Sequence, residues 1–475
     1  MDRLLGVESL GAGPAPVDFT FETGLIAAIA PAAAKPSRRF LAMPALANAH
    51  DHCRPLSPTS FGGAGKPLET WLLRLAAMPS VDPYLAACAA FGRAARSGVA
   101  SVMAHYTRPH GPMSLIEEAR EVARAAADIG VRATLSIAMR DRNPLVYGDA
   151  AGVLGKLAPE ARAAVERHFF APAPSAAEQV ARVEAIAAAV ESPTFAVQFG
   201  PNGAQWCSDE LLRAVADASA RTGRRVHMHL LETKYQRAFA DRTYPDGLLP
   251  HLLKLGLLSP RIAFAHCVYA RPEELALMAE AGATIVTNPS SNLHLASGVA
   301  PIGEAIKAGL RVACGVDGSA LDEDDDALRE MRLGHFLHGG WGFDKTIERA
   351  PYLAAIIANG RRANGAPGSG GLNIGAPADI LVLDMDRLDR DAVMPVDPID
   401  LIFARANQAH VAHLIVAGKT IVRDGELIGA DLDRVHAQLR ESARRATPDR
   451  AAFLAAYGPL EESVASFYRG MIGCC

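Results

Sequence analysis

The sequence predicts an α/β protein, a (β/α)8 TIM-like barrel joined to a small β-sandwich domain that is built from both ends of the chain. Eight apolar, strand-like runs alternate with helical patterns, which is typical of a parallel sheet. Eight such units in roughly 320 residues fit a barrel with insertions. Short strands separated by glycines flank this region on both sides.

The eight strand-like runs lie at 45–52, 98–106, 131–141, 194–206, 224–232, 262–269, 283–292 and 311–319. Helical patterns such as 209–222 and 272–281 separate the later runs. Long stretches after the first and third strands, 54–79 and 143–191, are candidate lids because loops at this end of a barrel carry function.

The flanking segments predict the domain limits. Residues 1–42 contain a β-like stretch at 19–29, and 368–428 contain short strands punctuated by glycine. We therefore predict the parts listed next: 1–42 and 368–428 as two halves of the small β domain, 43–367 as the barrel, and 429–475 as a helical tail. We expect no functional role for Cys474-Cys475 at its end.

Composition narrows the class of partner. The net charge of -4 argues against nucleic acid, which requires a basic face, and no apolar run is long enough for a membrane span. Seven scattered cysteines give no disulfide framework, and the start of the chain shows no signal peptide. We expect a cytoplasmic enzyme that acts on a small molecule.

Metal-type side chains recur where the strands end. His50 and His52 are two apart on the first strand and therefore share a face. Others stand at the ends of the fifth, sixth and eighth strands: His227, His229, His266 and Asp317. Because barrel strands end at one mouth, these groups should converge there.

Three neutral imidazoles and one carboxylate suit Zn2+, with Fe2+, Co2+ or Mn2+ as alternatives. His227 and His229 share a face, so either can be the ligand; His229 is favoured because it lies nearer the end of its strand. The fourth strand has no lysine to bridge two ions, which predicts one metal ion. Asp317 could instead open a turn before Gly318.

A metal with an open position lowers the pKa of bound water and so activates it for attack. Glu232 suits the transfer of the proton to the leaving nitrogen. It lies three residues beyond His229, so it reaches the metal only if the strand is already turning there. Asp317 can both bind the metal and orient the water.

Four residues are candidates for substrate contact because of their places near strand ends: His105, Trp206, Asn292 and His294. For His105 the alternative is simple packing. For Asn292 the alternative is an ordinary turn over 288–292.

Taken together, these residues resemble the amidohydrolase superfamily over nearly the whole chain, in its cytosine deaminase and triazine hydrolase branch with one metal. The matching motifs are Asn48-Ala49-His50-Asp51-His52, His229-Leu230-Leu231-Glu232, His266, Asn288–Asn292 and Gly315-Val316-Asp317-Gly318. The resemblance implies His50, His52, His229 and Asp317 as metal ligands, Glu232 as proton shuttle, and His266 as a contact to water or substrate. It also implies a homo-oligomer.

A weaker resemblance links the chain to molinate hydrolase and the phenylurea hydrolases, through Pro67-Leu68-Glu69-Thr70-Trp71 and the motif around His229. We therefore expect a metal-dependent hydrolase of an amide, carbamate or urea. The alternative is an aminohydrolase that deaminates an N-heterocycle. Segments 55–65 and 84–91 are apolar and favour the first hypothesis, because a heterocycle deaminase needs polar groups for the ring nitrogens. A catalytically inactive scaffold is the third hypothesis.

Overall fold

The structure, a computed structural model, describes residues 3–34, 36–318 and 321–472. Cys474-Cys475 and the last residue of the eighth predicted strand, Ser319, lie outside the described residues. The strands in chain order are β1 (Arg3–Ser9), β2 (Val17–Glu22), β3 (Leu25–Pro31), β4 (Phe40–Pro44), β5 (Leu46–Asp51), β6 (Val99–Tyr106), β7 (Arg132–Met139), β8 (Phe195–Pro201), β9 (Val226–Leu230), β10 (Ile262–His266), β11 (Thr284–Thr287), β12 (Arg311–Cys314), β13 (Gly340–Trp341), β14 (Asp344–Lys345), β15 (Ile380–Asp384), β16 (Val411–Val416), β17 (Lys419–Arg423) and β18 (Glu426–Leu427).

Strands β5 to β12 form one parallel sheet in chain order. The first and last strands meet just beyond β12, where the backbone N–H groups of Val316 and Asp317 donate to the carbonyl oxygen of His50 at 3.1 and 2.9 Å. Small side chains from three of these strands, Ala49, Ala263 and Ala313, pack together in the interior. This arrangement confirms the predicted (β/α)8 barrel, and the small interior leaves room for imidazole rings at the strand ends.

The α-helices are α1 (Leu68–Leu75), α2 (Pro83–Arg96), α3 (Leu115–Ile129), α4 (Ala151–Leu154), α5 (Pro159–Phe169), α6 (Ala176–Val190), α7 (Asp209–Thr222), α8 (Lys234–Thr243), α9 (Leu248–Lys254), α10 (Pro272–Glu280), α11 (Pro289–His294), α12 (Ile302–Lys307), α13 (Ala327–His338), α14 (Arg349–Asn364), α15 (Met385–Leu388), α16 (Pro398–Arg405), α17 (Leu432–Ala446) and α18 (Ala451–Met471). Their ends follow local chemistry: Ser208 accepts from the backbone N–H of Leu211 at the start of α7, and Gly223, with φ +71°, ends that helix.

Strands from both chain ends build the second sheet, in the order β18-β17-β16-β15-β4-β1-β2-β3. Its two halves pack around a separate core that includes Phe19, Ile26, Ile380 and Ile415. The predicted small β domain from both termini is therefore present, as one continuous sheet. Its strand β4 ends at Pro44, so the predicted limit between 42 and 43 falls inside a strand; the other domain limits stay a prediction.

A buried cluster of charges joins the two sheets. Asp379, just before β15, accepts from Arg132 of β7 at 2.9 Å and pairs with Arg361 of α14 at 2.8 Å. Its other oxygen accepts from the backbone N–H of Ala417 at 2.7 Å. The two buried arginines share this one carboxylate, and their charge-assisted bonds hold the small sheet against the base of the barrel.

The tail helices pack over the two predicted lids. Lys66 pairs with Glu461 of α18 at 2.5 Å, and the hydroxyl of Tyr468 accepts from the backbone N–H of Tyr147 at 3.2 Å. Among the described residues, no helix has both the length and the apolar character that crossing a bilayer requires.

Candidate metal centre and active site

Two histidines at the end of β5 are oriented by their Nδ1 atoms. His52 Nδ1–H donates to the carbonyl oxygen of His105 at 2.8 Å, and His50 Nδ1 lies 2.9 Å from His227 Nε2. Both Nε2 atoms therefore face one point, where Asp317 Oδ1 lies 3.2 Å from His50 and 3.0 Å from His52.

The two histidines of β9 take different positions. His229 Nδ1–H donates to the carbonyl oxygen of Asn202 at 2.8 Å, which directs Nε2 to a point 3.4 Å from His52 Nε2. His227 lies deeper in the barrel and contacts His50. The structure thus brings His229, and not His227, to the cluster at the mouth.

The donor set fits a divalent metal ion. The carbonyl partners fix the Nδ1–H tautomers of His52 and His229, so two nitrogen lone pairs face each other at 3.4 Å, an arrangement that favours a cation between them. Burial lowers the pKa of His50 to about 3 and that of His229 well below its ordinary value, so both rings are neutral ligands near pH 7. His50 Nε2 is buried and makes no hydrogen bond within the described chain.

Asp317 is held on three sides. Ser291 Oγ donates to Asp317 Oδ2 at 2.5 Å, and the backbone N–H of Asp317 donates to the carbonyl oxygen of His50. The φ of Asp317, +64°, turns the chain after β12. A Cβ at neighbouring Gly315 would lie 2.7 Å from His50 Cβ, so glycine is needed for this close approach. Strained φ values at such a site are stabilised by the surrounding contacts.

Glu232 reaches the same mouth because β9 ends at Leu230 and Leu231, with φ +49°, turns the chain. One carboxylate oxygen lies 3.7 Å from His266 Nε2, and the other is buried without a hydrogen bond in the described residues. Burial, with the charges of Asp317 and Glu69, raises the pKa of Glu232 well above its ordinary value. A raised pKa makes a carboxyl group a stronger proton acceptor, as a general base requires.

His266 is the other proton-bearing group beside Glu232. Its Nδ1–H donates to Asn292 Oδ1 at 2.9 Å, so Nε2 is left as an acceptor. That atom also lies 4.0 Å from Asp317 Oδ2. Asn292 therefore contacts His266 from behind, outside the cavity wall.

A cavity of about 370 Å³ opens above these groups. Its lining includes His52, His229, Glu232, His266 and Asp317 at the floor, apolar side chains such as Leu68, Trp71, Leu75, Trp206 and Leu295, and residues of both predicted lids. The volume suits a small-molecule ligand.

Of the four candidate substrate contacts, Trp206 alone lines this cavity. His105 is fully buried, with Nε2 3.2 Å from the carbonyl oxygen of Gly200, and its own carbonyl holds His52. His294 is exposed on α11. His105, Asn292 and His294 do not line the cavity, because a place near a strand end fixed their level in the barrel but not the direction of their side chains. For these three residues, contact with a substrate stays a prediction.

The apolar segment 84–91 also lies outside the cavity, because it forms part of α2 on the outside of the barrel. Conversely, sequence reasoning missed three arginines in the cavity wall: Arg54, Arg108 and Arg140. Each stands one to three residues past the end of β5, β6 or β7. That repeated placement is the signal that could have revealed them.

The model of the Amidohydrolase family matches residues 41–421. A 5-methylthioadenosine/S-adenosylhomocysteine deaminase of Moorella thermoacetica is 35% identical over 245 residues, 50% of this chain and 56% of the relative. A 5'-deoxyadenosine deaminase of Methanothermobacter thermautotrophicus is 29% identical over 82% of this chain and 83% of its own. The chain thus matches little more than half the length of the first curated relative.

Two solved structures share the fold. An adenosine deaminase from Xanthomonas campestris with bound zinc has a TM-score of 0.75 at 24% identity and covers 91% of this chain and 94% of its own. An atrazine chlorohydrolase from Arthrobacter aurescens complexed with zinc has a TM-score of 0.73 at 20% identity and covers 93% and 100%.

Proposed function

The chain belongs to the amidohydrolase family, and on that basis we propose that it is a metal-dependent hydrolase of a non-peptide carbon–nitrogen bond in a small molecule. One observation carries the proposal: neutral imidazoles and a carboxylate meet at one point of the barrel mouth, directly beside the buried Glu232–His266 pair. We assign one divalent ion, Zn2+ first, to the four groups His50, His52, His229 and Asp317.

When bound, the ion supplies Lewis acidity that activates water and polarises the carbon under attack. The chain's own groups do the rest. His266 Nε2, an acceptor because Nδ1–H is engaged by Asn292, can hold the attacking water. Glu232 takes the water's proton and delivers it to the leaving nitrogen, for which its raised pKa is suited.

An amide, carbamate or urea is the reacting group that the cavity supports first. Besides Arg54 Nε and one oxygen of Glu232, two further buried polar atoms of lining residues make no hydrogen bond in the described structure: Asn202 Oδ1, an acceptor, and Trp206 Nε1–H, a donor. A substrate N–H and C=O would satisfy one each. Much of the remaining wall is apolar, which suits the rest of such a molecule.

Deamination of an N-heterocycle is the second candidate, favoured by the two curated relatives whose names specify deaminases of adenosine derivatives. Both reactions use the same water activation. They differ in whether the nitrogen released is an amine of the substrate body or ammonia.

A substrate screen on the purified, metal-loaded chain separates the two. Anilides, phenylureas and thiocarbamates form one set, and cytosine, guanine, adenosine and aminotriazines form the other. Release of amine from the first set supports the primary proposal, and ammonia from the second set alone moves the assignment to a deaminase. Turnover in neither set, with Zn2+ or Co2+ added, contradicts the proposal.

We further propose that the enzyme works in the cytoplasm as a homo-oligomer. The five described cysteines are buried free thiols, as expected in a reducing compartment. Exposed apolar side chains, among them Trp341 and Phe343 on the β13–β14 hairpin, are candidates for subunit contacts. Light scattering gives the mass, and a monomer at micromolar concentration would contradict the second part.

A further inference from the structure

Three arginines that the catalytic chemistry leaves unused line the cavity: Arg54, Arg108 and Arg140, here called the arginine cluster. They come from the loops after β5, β6 and β7, three neighbouring strands, so they occupy one side of the mouth. The net charge of the chain is -4, so this concentration of positive charge is local.

Arg54 lies nearest the floor. Its guanidinium carbon is 4.7 Å from the ring centre of Trp71, and a Cβ at Gly318, next to Asp317, would lie 3.0 Å from its Nε. That Nε is buried and makes no hydrogen bond with the described residues. A buried donor without an acceptor is unfavourable, so a ligand acceptor would stabilise it.

Arg108 and Arg140 lie farther along the same wall. Arg108 is held by backbone: its guanidinium donates to the carbonyl oxygens of Leu75, at 2.7 Å, and Met78. Arg140 directly follows β7, is exposed, and its guanidinium has no hydrogen-bond partner in the part of the chain that is described. Both can turn donors toward a ligand without breaking an ion pair.

The charges of the wall do not balance. Two other arginines of low exposure form ion pairs, Arg93 with Asp325 at 2.7 Å and Arg237 with Glu274 at 2.8 Å. None of the three cavity arginines forms an ion pair among the described residues. The acidic lining residues, Glu232 and Asp317, lie at the floor, where the proposed function already uses them.

We propose that the cavity binds substrates bearing a carboxylate group, which the arginine cluster recognises while the carbon–nitrogen bond lies at the floor. The inference rests on the proposed function for the reacting bond only. A guanidinium group matches the two oxygens of a carboxylate with parallel N–H donors, and the apolar side chains that share the cavity lining accommodate the rest of the molecule.

The test is a binding measurement that requires no turnover. 4-Phenylbutyrate and its neutral analogue 4-phenyl-1-butanol, which has no carbon–nitrogen bond to hydrolyse, are titrated into the metal-loaded chain, with tryptophan fluorescence as readout. Trp71 and Trp206 line the cavity, and Trp341→Phe removes the signal of the exposed third tryptophan. We expect the carboxylate to bind at least about tenfold more tightly, as a charge-assisted pair predicts.

Variants locate the source of that preference. We expect the double variant Arg54→Met/Arg140→Met to reduce the preference for the carboxylate to within about twofold. Arg140→Lys should retain part of the preference, because lysine keeps the charge but not the paired donors. Arg213→Met, at an exposed arginine of α7, is the control and should leave the preference unchanged. No preference in the parent chain overturns the proposal. A full preference in the double variant also overturns it, because the carboxylate is then held elsewhere. Binding without hydrolysis of any screened substrate would refute the proposed function and leave the carboxylate subsite standing.

Discussion

Replacement of His227 by leucine tests whether it positions a metal ligand rather than acting as one. With Nε2 of His50 directed at the metal point, His50 Nδ1 carries the proton and donates to His227 Nε2 at 2.9 Å. In His227→Leu this buried N–H has no partner, which costs about 1–3 kcal/mol. Because about 1.4 kcal/mol is tenfold, metal affinity should fall roughly 5- to 150-fold, while about one ion per chain still binds at saturation.

The assay is competition with a chelator of known affinity, followed by metal analysis of the protein. His227→Gln is the matched control, because its amide oxygen can accept from His50 and should restore part of the affinity. His229→Leu is the opposite control and should abolish binding, since it removes a proposed ligand. The reasoning is refuted if His227→Leu loses metal as completely as His229→Leu, or if its affinity equals that of the parent chain.

Three further predictions follow from buried contacts. Asp379→Asn leaves Arg132 and Arg361 without a counter-charge and should lower the free energy of unfolding in urea by about 3–5 kcal/mol. Burial raises the pKa of Asp379, but its hydrogen bonds and ion pairs with these arginines lower the pKa overall. The stabilisation by Asp379 is therefore present above its unfolded-state pKa and is lost as the pH falls through its lower folded-state pKa. Unfolding measured as a function of pH should show this loss in the parent chain and not in Asp379→Asn. Ser291→Ala removes the 2.5 Å bond to Asp317 and should lower kcat about tenfold or more with metal content unchanged, measured on a substrate from the screen; equal kcat would contradict it. Removal of the metal should lower the melting temperature, and added Zn2+ should restore it, because four buried groups lose their shared partner; an unchanged melting curve would contradict this.

The barrel could be predicted because the spacing of apolar residues and the lengths of the strand and helix segments can both be read from the sequence. The run 262–269 begins where β10 begins, and the pattern 209–222 coincides with α7. The later runs were predicted too long: 283–292 contains only Thr284–Thr287 as strand, since Pro289 starts the short helix α11. The residues beyond Thr287 are mostly polar although they are buried, and the sequence pattern alone does not show where strand hydrogen bonding stops.

The sequence predicted which residues of the site converge, but it did not predict how all of their side chains are oriented. From their spacing, His227 and His229 were equally possible metal ligands. The hydrogen bond from His229 to the carbonyl oxygen of Asn202, which follows the neighbouring strand β8, distinguishes them. Spacing also placed Glu232 on the strand face opposite His229. The left-handed backbone conformation of Leu231 turns the chain so that the Glu232 side chain reaches the mouth. Such turns depend on tertiary contacts that a single sequence does not display.

The cavity wall was the least predictable part. Its apolar residues come from α1 and from distant segments such as those of Trp206 and Leu295, and its arginines come from three separate loops. The character of the wall therefore emerges only when these segments are brought together. Segment 84–91 looked suitable by composition alone, yet its small residues pack α2 against neighbouring helices. Composition predicts burial, whereas facing a cavity depends on the fold.

The most direct test of the central claim is metal content and turnover measured together in the parent chain and in Glu232→Gln. The account predicts about one divalent ion per chain in both proteins and a loss of turnover of about 10²–10⁴-fold in the variant, because glutamine keeps the shape but moves no proton. Retained turnover would contradict the proposed role of Glu232. No bound metal and no turnover in the parent chain would contradict the enzyme itself and favour an inactive scaffold.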